Sequence, residues 1–145
     1  MTAPVPVKPT VLHPVVVDTD VVSYLFKGDS RAALYQRHLT ARAPVISFMT
    51  LAELDAWADQ RHWSARRRER LDRFLTHFAH HYPDRRLCRI WGALTAAGRS
   101  SGRPIGPADA WIAATALFLS APLVTHHPSD DANIPGLTVL IDSSP

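Results

Sequence analysis

The stretch "VVVDTDVVSYLF" (residues 15–26) places three consecutive valines directly before Asp18, and a second aspartate, Asp20, follows two positions later. Three β-branched residues in a row predict a short strand that is buried on both faces. From Thr19 onward the pattern favours a short helix, which Gly28 ends. Asp18 therefore stands at the carboxyl end of a buried strand, closely walled by hydrophobic residues.

The composition is that of one globular domain. Hydrophobic residues make up 46% of the 145 residues, and no segment is of low complexity. The single cysteine, Cys88, excludes an internal disulfide and fits a reducing compartment. We see neither a signal-peptide core nor a membrane-length apolar segment, so we predict a cytoplasmic protein. Residues 1–13, with three prolines, are predicted to form an extended tail, and residues 14–145 the folded domain.

The rest of the chain alternates between strand and helix patterns. Further strands are predicted at 43–48, 81–82, 122–126 and 137–141. Helices are predicted at 19–26, 30–39, 51–60, 64–80, 85–102 and 107–120, with Ser30 and Ser64 as N-caps. This alternation predicts a three-layer α/β/α domain with a short central parallel sheet. In such sheets, ligands bind at the carboxyl ends of the strands.

Three more acidic residues fall near this edge of the predicted sheet. Glu53 follows the second strand, Asp109 opens an almost wholly apolar helix, and Asp130 follows the strand at 122–126. Each has a purely structural explanation. Thr50 and Glu53 fit a capping box, Asp109 suits the helix dipole, and Asp130 fits a polar surface loop. Because the face of its helix is apolar, we expect Asp109 to be buried or half-buried.

Taken together, the four carboxylates indicate a metal site. If the sheet is parallel, Asp18, Glu53, Asp109 and Asp130 can meet at one edge. Carboxylates at such short distances repel one another, and a bound divalent cation would neutralise this repulsion. Oxygen ligands favour Mg²⁺ or Mn²⁺ over softer metals. The eight histidines show no zinc spacing, and "HFAHH" (residues 77–81) is predicted to be a solvated helix end.

Four segments occur in the order and spacing of a known family. They are "VVVDTDVVSYLFKGD" (15–29), "ISFMTLAELDAWA" (46–58), "GRPIGPADAWIAATAL" (102–117) and "PLVTHHPSDDANIPGL" (122–137). Over about residues 14–141 the sequence resembles PIN-domain ribonucleases, and most closely the VapC toxins of bacterial toxin–antitoxin pairs.

The resemblance implies a role for each acidic position. Asp18, Glu53 and Asp109 match the first three acidic positions of the family, and Thr19-Asp20 occupies its Thr-Asn dipeptide. Asp130 matches the acid that usually precedes an aromatic residue.

This chain departs from the family pattern in three places. Asp20 replaces the usual asparagine, and Asp131 stands in the place of the aromatic residue. His127 replaces the asparagine or aspartate often found two residues after Thr125. The fourth ligand is therefore left open between Asp130, Asp131 and His127.

The same resemblance implies an activity and partners. It implies an endoribonuclease that cleaves structured RNA with one or two Mg²⁺ ions, Mn²⁺ being the substitute. Water activated by the metal attacks the phosphodiester, so no protein nucleophile is needed. The implied partners are a VapB-type antitoxin and a second copy of the chain in a homodimer. Thr19, Asp20, Thr125 and His127 are implied to support the site.

An arginine-rich run offers a separate hint of nucleic-acid binding. Six arginines occur within residues 61–74, in a chain of net charge +3. Arg66, Arg70 and Arg73 fall on one stripe of the predicted helix, which could follow an RNA backbone or bind an acidic antitoxin segment. A solvated helix face explains the same stripe. The four tryptophans are predicted to belong to the core or to a subunit interface.

Two other functions compete with this interpretation. "VVVDTDVV" also fits the opening of haloacid-dehalogenase-type phosphatases, in which Asp18 would be a nucleophile. That fold is usually larger, and this chain offers only Lys8 and Lys27 as lysines, both early. Glu53 and Asp109 would also be unexplained. The second competitor is a PIN-like domain that binds RNA or a partner protein without catalysis.

Overall fold

The computed structural model describes residues 3–4 and 11–141, apart from the side chain of Asp130. Within this part, the strands are β1 (His13–Val17), β2 (Arg42–Ser47), β3 (Ala79–His81), β4 (Leu123–Val124) and β5 (Val139–Leu140). All neighbouring pairs are parallel, and the order across the sheet is β3-β2-β1-β4-β5. The predicted parallel sheet is therefore confirmed, with β1 at its centre.

Helices connect these strands. They are α1 (Thr19–Lys27), α2 (Ala32–Leu39), α3 (Phe48–Gln60), α4 (Ala65–Leu75), α5 (Arg85–Ser100), α6 (Pro107–Phe118) and the short α7 (Pro128–Asp131). Gly28 ends α1 in the left-handed conformation with φ of 65°, as the glycine stop predicts. The Ser64 side chain caps α4 by accepting from the Arg67 backbone N–H at 3.2 Å. Both helix signals were read correctly from local sequence.

The three valines of β1 explain why helices cover both faces of the sheet. Successive strand residues point to opposite faces. Val15 and Val17 join one hydrophobic cluster, which includes Leu54 and Leu71, and Val16 joins a second cluster with Ile112, Leu123 and others. All three valines are fully buried. The three-layer α/β/α architecture is therefore confirmed.

Several predicted boundaries were wrong. Ser30 is not an N-cap, because α2 begins at Ala32 and the residue at its cap position, Arg31, makes no side-chain capping bond. His13, assigned to the tail, is the first residue of β1. Of the predicted tail, residues 1–2 and 5–10 lie outside the described residues. The division into a tail and a single domain stays a prediction.

The predicted helical end at residues 77–81 was also wrong. Helix α4 ends at Leu75, and Ala79–His81 form β3, which pairs with β2 at the edge of the sheet. The backbone groups of this segment are satisfied by β2, a partner more than thirty residues away, which helical periodicity does not reveal. The Nε2 atom of His80 also lies 2.8 Å from the carbonyl oxygen of Leu75.

Among the residues that the structure describes, we find no helix with the length and apolar character needed to cross a membrane.

Candidate active site

Asp18 is fixed at the centre of the sheet's carboxyl edge. Its backbone N–H donates to the Val124 carbonyl at 2.9 Å, which extends the pairing of β1 with β4 by one step. One carboxylate oxygen accepts from the Thr19 backbone N–H at 2.7 Å, and the other accepts from the Thr125 hydroxyl at 2.8 Å. Both carboxylate oxygens are thus held by hydrogen bonds, so the side chain cannot drift from this edge.

Glu53 reaches the same edge through a pair of buried threonines. The Thr19 hydroxyl donates to the Glu53 carboxylate at 2.8 Å and lies 2.8 Å from the Thr50 hydroxyl. Because the single Thr19 proton points to Glu53, Thr50 is the donor between the two threonines. Thr19 and Thr50 are 3% and 0% exposed, so this network is dry and rigid.

The capping-box explanation of Glu53 was therefore wrong. Helix α3 begins at Phe48, two residues before Thr50, and the Ser47 side chain caps it by accepting from the Met49 N–H at 3.0 Å. Because it does not cap the helix, the Thr50 hydroxyl is available for the hydrogen-bond network with Thr19 and Glu53. Sequence analysis did not assign it a functional role, although its spacing of three residues from Glu53 places both on one helix face.

Asp109 lies in the first turn of α6 and is exposed, not half-buried as predicted. The apolar residues that follow it on its face, Ile112 and Ala113, are buried as expected. The helix start projects from the core at the mouth of an acidic cavity of about 220 Å³, which Asp109 lines. We call this cavity the acidic pocket. Its lining residues are Asp18, Thr19, Asp20, Glu53, Asp109, His127 and Asp131.

The structure describes the surroundings of Asp131, one of the candidates for the fourth acidic position. Asp131, at the end of α7, is only 5% exposed and lines the acidic pocket. Asp130, the residue predicted from the sequence, has its side chain outside the described residues, and its role stays a prediction. Helix α7 was not predicted, so the sequence offered no basis for expecting Asp131 to face inward.

Burial and repulsion between neighbouring carboxylates disfavour the ionised forms of Asp18 and Glu53 in the acidic pocket. Burial raises the pKa of the Asp18 carboxyl, and the charges of Asp20 and Asp109 raise it further, against the hydrogen bonds from Thr125 and Thr19. Burial also raises the pKa of the Glu53 carboxyl, and the nearby aspartates add to the rise. No lysine or arginine is among the residues that line the pocket in the described part of the chain. These conditions favour a bound cation.

Two neighbouring histidines after β4 point to different surroundings. His127 lies with its Nε2 atom 3.0 Å from an Asp20 carboxylate oxygen, at the rim of the acidic pocket. Its backbone N–H donates to the Thr125 hydroxyl at 3.1 Å. His126 instead contacts the rings of Tyr24 and Tyr35, and its Nδ1 is hydrogen-bonded to the Tyr35 hydroxyl. His126 therefore anchors the loop, and His127 lines the acidic pocket.

The donor set fits a hard divalent cation. Carboxylate and hydroxyl oxygens dominate the pocket, and these are the ligands that Mg²⁺ and Mn²⁺ prefer. Across residues 11–141, Asp130 aside, no three Asp, Glu, His or Cys side chains are already arranged to hold an ion together. Mg²⁺ commonly binds through one or two carboxylates and keeps several of its waters, so a direct cage of protein ligands is not required.

Comparison with known proteins gives a family for this site. The PIN domain family model matches residues 15–129. A protein named ribonuclease VapC1 from Haemophilus influenzae strain R2866 is 34% identical over 118 residues, which cover 77% of this chain and 84% of that protein. The chain belongs to the VapC ribonucleases of the PIN-domain family.

Solved structures agree with this membership. The VapBC-1 structure from nontypeable Haemophilus influenzae matches with a TM-score of 0.76 and 28% identity, covering 90% of this chain and 99% of that chain. The fold is also that of VapBC2 from Rickettsia felis, solved with a promoter DNA fragment, with a TM-score of 0.79 at 23% identity. That match covers 88% of this chain and 98% of the other.

Membership in the VapC ribonucleases decides against the phosphatase alternative, since the match spans Asp18, Glu53 and Asp109 together. It also gives meaning to the contact between Asp20 and His127. Both residues depart from the VapC pattern, and they face each other across 3.0 Å. An extra carboxylate at position 20 is thus accompanied by an imidazole, which can donate a hydrogen bond to it.

Replacing Glu53 with glutamine should stabilise the metal-free protein relative to wild type, and the gain should grow as pH rises. A carboxyl whose pKa is raised in the folded state stabilises the fold below its ordinary pKa of 4.5, and this contribution is lost as pH rises through the raised pKa. Glutamine keeps the oxygen that accepts from Thr19 but has no such dependence. Thermal unfolding of both proteins in EDTA, at about pH 4 and about pH 7.5, measures this gain in stability. Each kcal/mol gained should raise the melting temperature by roughly 2–4 °C.

Glu69 supplies the matched control for this measurement. It is an exposed glutamate on α4 and does not line the acidic pocket. Glu69→Gln should show no comparable increase between the two pH values. An equal gain for both variants would mean that the carboxylates of the pocket do not destabilise the metal-free fold.

Proposed function

We propose that this protein is a divalent-metal-dependent endoribonuclease that acts in the cytoplasm as the toxin of a toxin–antitoxin pair. The observation that carries the proposal is the gathering of Asp18, Glu53, Asp109 and Asp131 around one pocket at the carboxyl edge of the sheet. The family membership supports a ribonuclease. Mg²⁺, or Mn²⁺ in its place, is the cofactor that suits these oxygen ligands.

The residues divide the work by their burial. Asp18 and Glu53, held by Thr19 and Thr125, form the rigid part of the ion site. Asp109 is exposed and lines the same pocket, so it would complete the ion site from the solvent side. A bound divalent ion would supply a water of lowered pKa and neutralise charge on the phosphate. The carboxylates would hold the ion, and without it their charge would repel an anionic substrate.

A VapB-type antitoxin and a homodimer are the partners that we propose. Support for the antitoxin comes from the structural relatives, which include VapBC complexes. The proposed RNA contacts are Arg66, Arg70 and Arg73, all exposed on α4. The four tryptophans are each partly buried, in keeping with a core or interface role and not with an open base-stacking surface.

The purified protein should cleave structured RNA in Mg²⁺ or Mn²⁺, and EDTA should abolish the cleavage. Added Mg²⁺ should then restore it, because the charge of the acidic pocket otherwise repels the phosphate. Gel analysis of a folded RNA measures this, with Asp18→Asn purified in parallel to detect a contaminating nuclease.

Full cleavage in EDTA with trace metal removed would contradict the metal mechanism. RNA binding without cleavage in either ion would instead favour the non-catalytic alternative.

A further inference from the structure

A larger cavity lies beside the acidic pocket. It encloses about 650 Å³ between α5, the loop at residues 101–106 and the segment around α7. Leu94, Ile105 and Ile134 form its apolar floor, and Arg103, Ser129 and Asn133 bring polar groups to it. We call it the side cavity. Its volume lies in the range of roughly 300–1,000 Å³ that is typical of small-molecule sites.

The side cavity adjoins the acidic pocket, because Asp109 lines both cavities. Gly106, which precedes α6, also lines the side cavity, and a Cβ atom at this position would lie 3.6 Å from an Asp109 carboxylate oxygen. If a phosphate of the RNA is held at the acidic pocket, the nucleotide attached to that phosphate would therefore lie beside the side cavity.

The wall of the side cavity is held in place without a ligand. The Arg103 N–H donates to the Gly98 carbonyl at 2.8 Å, and a Cβ atom on Gly98 would lie 2.9 Å from the Arg103 carbonyl oxygen. The loop thus packs so closely against α5 that only glycine fits at position 98. The Ser101 hydroxyl also donates to the Gly98 carbonyl at 3.1 Å. Because this wall is already ordered, binding of a ligand in the side cavity costs little free energy for ordering the loop.

We propose that the side cavity holds an unpaired nucleobase of the RNA substrate, next to the phosphate that is cleaved. This inference rests on the proposed ribonuclease function and names the form of RNA that the site accepts. The apolar floor suits the face of a base, and Ser129 and Asn133 suit its polar edge. Arg103 supplies a positive charge beside the acidic pocket for a flanking phosphate. Proteins that read RNA sequence commonly bind such unstacked bases from loops and single strands.

The covalent link between base and phosphate favours RNA over a protein segment as the occupant. Once a phosphate is held at the acidic pocket, the attached nucleotide enters the neighbouring cavity at a high effective concentration. A protein segment that enters the side cavity directly from solvent would lack this advantage. Binding of a protein segment is therefore the alternative that the experiment must distinguish.

The test narrows the side cavity from its exposed wall. Ala97 and Ala96 are adjacent exposed alanines on α5, but only Ala97 lines the cavity. We expect Ala97→Phe to weaken binding of adenosine 5′-monophosphate in Mg²⁺ at least about tenfold, measured by calorimetric titration, because the ring occupies space that a base needs. Ala96→Phe should bind as wild type does. Ribose 5-phosphate should bind more weakly than the nucleotide, and equally to all three proteins.

A second narrowing variant and a cleavage assay complete the design. Asn133→Phe fills the cavity from the opposite wall and should reproduce Ala97→Phe, with folding of both checked by circular dichroism. Both should also cleave RNA more slowly than Ala96→Phe. The proposal would be overturned if both narrowed variants bound the nucleotide with wild-type affinity. It would also be overturned if they lost binding of the antitoxin but kept binding of the nucleotide. If wild type still cleaves RNA in Mg²⁺, the proposed function survives that failure; if it does not, the proposed function itself has failed.

Discussion

Asp109→Asn should lose RNA cleavage while the domain stays folded. Asparagine keeps the shape and the hydrogen-bonding capacity of aspartate at a helix start but removes the charge. Asp109 is exposed in the first turn of α6, so the change does not alter the hydrophobic core. If the residue only balanced the helix dipole, the change would cost about 0.3–1 kcal/mol of stability and leave activity intact. As a metal-site residue it should cost on the order of 100-fold or more in cleavage rate.

Matched variants in the same pocket separate charge loss at the metal site from charge loss in general. Asp18→Asn should behave like Asp109→Asn, because it removes a buried charge whose pKa is raised by burial and by neighbouring aspartates. Both variants should melt no lower than wild type in EDTA. Asp20→Asn removes a charge from the same pocket but restores the usual family residue beside His127, and it should remain active.

Initial cleavage rates and melting in EDTA, measured on the same preparations, decide between these outcomes. An active Asp109→Asn protein would refute its assignment to the ion site. An inactive Asp20→Asn protein would show that Asp20 takes part in the chemistry itself.

Asp131→Asn should reduce cleavage by about 10–100-fold, the loss typical of removing a group that supports a metal site. Asp131 is buried against the acidic pocket, where its charge adds to that of Asp18 and Glu53. Asparagine has nearly the same volume, so the loss should come from charge and not from packing. Single-turnover cleavage at saturating Mg²⁺ and the Mg²⁺ dependence of the rate together measure the effect.

Asp130→Asn is the natural comparison, because it makes the same chemical change one residue earlier. If Asp131 alone supplies the fourth carboxylate, Asp130→Asn should cleave RNA at close to the wild-type rate. The reverse result, with Asp130→Asn impaired and Asp131→Asn active, would confirm the assignment made from family spacing. Loss in both variants would indicate that α7 needs both charges for its position.

Much of the fold could be predicted because its signals are local. Three valines in a row can only be buried on both faces, so Val15, Val16 and Val17 predict a central parallel strand and helices on either side. The carboxyl end of that strand then gives the position of Asp18. Glu53 and Asp109 follow from the same topology, since parallel strands present their carboxyl ends at one edge.

The errors share one cause, which is competition from partners distant in sequence. Thr50 and Glu53 fit a capping box, yet Thr19, more than thirty residues away, takes both into a buried hydrogen-bond network. Residues 77–81 continue a helical pattern, yet an open edge of β2 offers them a strand ladder. In each case the local preference is worth about 1 kcal/mol, and burial or pairing with a distant element exceeds it.

The sequence by itself determined the parallel α/β fold and three of the acidic positions, because burial on two faces leaves a pattern that is readable over a few residues. Only the tertiary structure decided that Asp131 faces the acidic pocket, that Asp109 is exposed, and that Asp20 contacts His127. These facts depend on where a short helix and two loops settle against the sheet edge. Each residue along a helix turns the side-chain direction by about 100°, so the direction of Asp131 depends on how α7 is placed, which the sequence pattern does not specify.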